Sequence, residues 1–160
     1  MNQLTLGQIL TFLHRPDEGL PLMIRASRSE RVACLLLPLS DDELRQATRL
    51  IDRALASQRE KPDWLLPYFR FAKALAEYRA ARLENALTLL DAQTLRILGP
   101  APGLLLAMVQ HRLGHSHAAR HNLSTAAASY DWDPKKATDR EARMFHLLRR
   151  EAETVLASTP

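Results

Sequence analysis

Apolar residues return at helical intervals in separate stretches of this chain. Leu44, Ala47, Ile51, Ala54 and Leu55 fall on one stripe, and Leu83, Ala86, Leu87 and Leu90 on another. Ala119, Leu123 and Ala126 form a third, and Met144, Leu147, Leu148, Val155 and Leu156 a fourth. Leu6, Ile9, Leu10 and Leu13 suit a short opening helix. Strict alternation of apolar and polar residues is nowhere sustained, so the pattern predicts an all-α chain.

Punctuation separates the stretches. Pro16 to Pro21 ends the opening helix, Pro38-Leu39-Ser40 precedes the next, and Lys61-Pro62-Asp63 breaks the chain again. Gly99-Pro100-Ala101-Pro102-Gly103 reads as a strong stop, and Asp131-Trp132-Asp133-Pro134 as another. Ser40 with Glu43, and Thr138 with Glu141, have the spacing of capping boxes. Pro67 fits the first turn of a helix, where its missing N–H costs nothing.

Composition narrows the class. With 160 residues, only 5 Gly and 6% aromatics, the chain lacks the turns and β-branched runs of a sandwich or barrel. Its one Cys, Cys34, rules out an internal disulfide framework. No run approaches the ~18 apolar residues that span a bilayer, and the polar opening, without a basic n-region or cleavage site, does not read as a signal peptide. A cytoplasmic location without membrane contact is therefore expected.

The net charge is +4, unevenly spread. No acid lies between Asp91 and Asp131, whereas Arg96, Arg112, Arg120, His111, His115, His117 and His121 do. These histidines have spacings that could gather round a metal. A turn at Gly114 would instead put three of them on a solvated corner without an orienting carboxylate, so no metal or other cofactor is expected. His14 and His146 stand alone, as surface or boundary residues do. Catalysis finds no foothold either: there is no Gly-x-Ser-x-Gly, and Asp41-Asp42-Glu43 is explained as favourable charge at a helix N-terminus. Trp64 and Trp132, both in linkers, suit plugs between neighbouring helix pairs.

The chain also resembles itself. At an offset of 33 residues, Ala74 matches Ala107, Ala81 matches Gly114, Ala86 matches Ala119 and Leu90 matches Leu123. A degenerate earlier copy places Arg31 to Leu39 as its first helix and Ala47, Ile51 and Ala54 on its second. This register resembles the tetratricopeptide repeat, a helix-turn-helix unit of ~34 residues with small residues at the helix crossings and a Gly at the turn. Ala81 stands where one copy's turn Gly would be.

A second likeness covers roughly Arg31 to Leu156. Ala33 to Pro38, Phe71 to Arg79, Leu106-Ala107-Met108 with Gln110 to Gly114, and Leu148 to Glu153 resemble the repeat regions that follow kinase domains in planctomycete-type bacterial serine/threonine kinases. No Gly-rich phosphate loop, His-Arg-Asp or Asp-Phe-Gly accompanies them, so the chain is read as a segment or stand-alone relative without kinase chemistry. These resemblances imply a right-handed stack of about three hairpins in a single domain, over 29–60, 64–98 and 103–130. An extra N-terminal helix and loop over 1–28 would precede it, and a capping helix over 138–157 would follow.

The repeat resemblance also implies a groove lined by the first helix of each hairpin. Its positions fall on Phe71, Leu75, Tyr78 and Arg79, then on Leu104, Met108, His111 and Arg112. Guanidinium beside an aromatic or imidazole ring suits capture of a carboxylate on an acidic peptide. A non-catalytic protein-interaction scaffold is thus expected, linked to bacterial signalling, with an open apolar end that allows a homodimer. RNA binding is the rival class, favoured by the acid-free span and opposed by having only four lysines, Lys61, Lys73, Lys135 and Lys136.

Overall fold

A computed structural model of the chain describes residues 40–56, 66–137 and 140–158. Helix α1 spans Asp41–Ala56, α2 Leu66–Arg79, α3 Leu83–Leu89, α4 Ala101–Arg112, α5 Ser116–Ala128 and α6 Arg140–Ala157. Short 3-10 turns cover Thr94–Arg96 and Pro134–Lys136. No strand occurs among the described residues, and none of their helices is long and apolar enough to cross a membrane. The opening helix, Arg31 to Leu39, Cys34, Trp64 and Thr138 lie outside the described residues.

The helices follow from the local sequence. Ser40 precedes α1, and its carbonyl accepts from the Leu44 N–H at 3.0 Å. Pro67 sits in the first turn of α2, as expected. The stretch Gly99 to Gly103 departs from the reading as a pure stop. Helix α4 already begins at Ala101, and Pro102 occupies its first turn, where no backbone donor is needed.

Two turns share one geometry. Ala81 and Gly114 both adopt left-handed backbone, with φ of 58° and 82°. At the first turn Ala81 N–H donates to Tyr78 O (3.1 Å) and Arg82 N–H to Glu77 O (2.9 Å). At the second Gly114 N–H donates to His111 O (2.9 Å) and His115 N–H to Gln110 O (2.8 Å). This pair of bonds closes the end of a helix by meeting carbonyls left without intrahelical partners. Each turn folds one helix back on its predecessor, α3 on α2 and α5 on α4.

The small residues sit where the elements meet. Ala74, Ala86, Ala107 and Ala119 are all fully buried. A Cβ on Gly103 would lie 3.2 Å from the Cβ of Ala126, so α4 and α5 approach as closely as a missing side chain permits. Helix α3 is much shorter than α5. Asp91 draws the N–H groups of Gln93 (3.1 Å) and Thr94 (2.8 Å) onto Oδ1, diverting the backbone into a 3-10 turn.

Helix α6 lies along α4 and touches α5. Met144, Phe145, Leu148 and Ala152 enter the common core. Leu147, expected on that stripe, is instead 51% exposed. Phe145 takes the inward position, and the buried set then runs 145, 148, 152 down one face. Trp132 fastens the end of α5 to α6: its Nε1–H donates to Ala127 O at 2.6 Å, and Tyr130 and His146 meet its ring edge-on at 4.9 and 5.4 Å. The Arg149 guanidinium lies 4.7 Å from the ring centroid.

Candidate functional site

The turn at Ala81 gathers most of the polar chemistry. Tyr78, near the end of α2, is buried, and two guanidiniums approach its ring, Arg79 at 5.5 Å and Arg112 at 5.1 Å from the centroid. Arg79 and Arg112 thus converge on one tyrosine. Arg112 also reaches within 3.5 Å of the Tyr78 carbonyl, at the negative end of the α2 dipole.

Arg79 already holds a carboxylate. Its Nη1 and Nη2 donate to the two oxygens of Glu151 on α6, the second at 2.6 Å. Burial weakens the charge of the guanidinium, but the Glu151 hydrogen bonds more than offset this and raise its pKa. Burial also pushes the Tyr78 hydroxyl above its usual pKa, with the Glu151 charge adding to it.

Beside this clasp lies a buried acid that the sequence did not flag. Glu77 is 4% exposed and accepts from Arg82 Nε and from Lys73 Nζ, the latter at 2.9 Å. Lys73 reaches on to Asp52 of α1 at 2.5 Å. Burial favours the neutral acid, yet the hydrogen bonds from Arg82 and Lys73 outweigh it, and the Glu77 pKa is lowered. The spacing of Lys73 and Glu77, one helical turn apart, was the available signal. The Asp52 and Arg82 links depend on how α1 and the turn pack.

The eight residues expected to line a groove divide sharply. Phe71, Leu75, Leu104 and Met108 are fully buried within the core that α6 helps to close. His111 is buried too, and its Nε2–H donates to the Ser158 carbonyl at 3.1 Å, just beyond α6. Tyr78 keeps only an edge towards solvent and Arg79 is half-buried, leaving Arg112 as the exposed member. His115, His117 and His121 are exposed, and no metal-holding cluster of three His, Cys, Asp or Glu occurs among the described residues.

Where α1 begins and α2 ends, a recess of about 490 Å³ opens to solvent. Arg45, Arg49, Arg79 and Arg82 line it, with Asp41 as the one carboxylate among its described lining residues and Thr48 between. Searches against protein-family models, curated proteins and solved structures found no match to this chain.

Proposed function

We propose that the chain is a non-catalytic protein-interaction scaffold of tetratricopeptide-like hairpins, presenting arginines to a carboxylate-bearing segment of a partner. The observation that carries this reading is the grip of Arg79 on Glu151 beside Tyr78 and Arg112. Two planar guanidiniums over one aromatic ring, one already holding a carboxylate through both Nη groups, form chemistry suited to acidic side chains. The matching turns at Ala81 and Gly114 support the hairpin register. Because the apolar positions Phe71, Leu75, Leu104 and Met108 are buried in the core, the partner meets the cationic rim, above all Arg112, rather than a deep apolar floor. A cytoplasmic bacterial signalling setting follows from the sequence resemblance.

The test is affinity capture from the source cell with the full chain. Arg79→Glu with Arg112→Glu should abolish capture while leaving helicity intact. Since Arg79→Glu also faces Glu151 with a like charge, a companion carrying Glu151→Arg restores that pair. If the companion is folded and still captures the partner, the reading fails. RNA binding remains a second reading, favoured by the outward stripe of His117, Arg120 and His121 on the acid-free α5. Steep, salt-sensitive retention of random RNA would promote it.

A further inference from the structure

The recess between the start of α1 and the Ala81 turn has chemistry not used by the Arg79–Glu151 clasp. Its lining sets four guanidiniums against the carboxylate of Asp41. Their commitments differ. Arg79 is engaged with Glu151, and Arg82 spends its Nε on Glu77 while its Nη groups make no hydrogen bond among the described residues. Arg45 pairs with Asp42, three positions away, on open surface where such a pair is readily exchanged. Arg49 is exposed and has no hydrogen-bond or ion-pair partner among the described residues.

Arg45 and Arg49 stand one helical turn apart on α1, so both project from the same side. Arg82 faces them from the turn across the recess. Three partly uncommitted guanidiniums around one concavity match successive carboxylates on a single extended strand better than one isolated anion. We infer that this recess is a docking site for a run of acidic side chains on a partner peptide, with Arg49 as its principal anchor and Arg45 and Arg82 flanking it. The inference rests on the carboxylate-capture reading and places a second contact at the end of the helix pairs, apart from Arg112.

Among the described residues Arg49 holds no hydrogen-bond or ion-pair partner, so replacing it tests binding with little direct effect on their packing. The full chain is titrated into fluorescein-labelled hexaglutamate, with labelled hexaglutamine as the uncharged control, and anisotropy is read. Hexaglutamate should bind and hexaglutamine should not. Arg49→Ala should weaken binding about tenfold or more, as loss of an anchoring arginine does. Arg120→Ala, which removes the same charge from the outer face of α5, should leave it within about twofold.

Equal loss in the two variants would reduce the effect to net charge and overturn the site, as would absence of hexaglutamate binding. Displacement by inorganic phosphate at the same charge concentration would make the recess a general anion site, also overturning the assignment. Cellular capture by the Arg79, Arg112 and Glu151 variants reports separately on the broader scaffold reading. Failure there with an intact Arg49-dependent titration is therefore distinguishable from failure of the recess.

Discussion

Arg79 and Glu151, separated by 72 positions in sequence, meet as a two-pronged ion pair between the end of α2 and the middle of α6. With side chains 21% and 27% exposed, the pair carries a desolvation cost at Arg79 that its hydrogen bonds to Glu151 more than offset. It ties the final helix to a turn that α6 otherwise has little reason to approach. Glu151→Gln should lower the unfolding free energy by about 1–2 kcal/mol, since one charge-assisted bond is weakened and Arg79 stays half-buried. Urea denaturation measures it. A double-mutant cycle with Arg79→Gln should return a coupling of at least about 0.5 kcal/mol, the lower limit for residues in contact.

Glu77 gives the protein a pH-dependent component. Its folded pKa is depressed, so its stabilising contribution is fully present above the unfolded value of about 4.3 and is lost as pH falls through the lower folded value. Glu77→Gln should cost stability at pH 7, and the gap from wild type should shrink steadily below about pH 4. Urea midpoints at pH 7, 5 and 3.5 test this. A constant gap would mean that the charge of Glu77 contributes nothing.

The two left-handed turn residues should respond to substitution in opposite directions. Ala81 adopts φ of 58° at a position that suits glycine, so Ala81→Gly should stabilise the fold by about 0.5–1 kcal/mol once backbone entropy is counted. Gly114→Ala places a Cβ on φ of 82° and should destabilise by about 1–2 kcal/mol, although its surroundings are open. Thermal unfolding of both variants checks the pair.

Gly103 sets how closely α4 and α5 pack. Its absent Cβ would stand 3.2 Å from that of Ala126, and the branches of Val would press further into α5. Gly103→Val should cost about 1–3 kcal/mol through overpacking. Gly103→Ala should cost less, because improved helix propensity offsets part of the crowding. Chemical denaturation of the two variants tests that order.

The helices and the paired turns were legible in the sequence because they rest on local chemistry. Gly114 permits left-handed backbone, Ala81 matches it 33 residues earlier, and the apolar spacing on α5 and α6 betrays a buried face. The fate of the groove residues was not legible. Phe71, Leu75, Leu104 and Met108 are apolar residues that suit either an open wall or a closed core. The tertiary packing decides between them: α1, α3 and α4 close on α2, and α6, seated by Phe145 and Leu148, closes on α4. The short α3 was hidden for another reason: Asp91 reads as an ordinary polar residue until its carboxylate takes two backbone donors that a helix would have used. Arg49 and the recess escaped notice because a lone arginine on an amphipathic helix acquires meaning only from what packs opposite.

Gly99, ahead of α4, adopts φ of 51°, and a Cβ there would come within 3.2 Å of the Phe145 ring. The seat of the last helix is therefore gauged partly by an atom that the preceding linker does not have. A methyl group at this point would press on the Phe145 ring, and through it on the helix whose Glu151 grips Arg79.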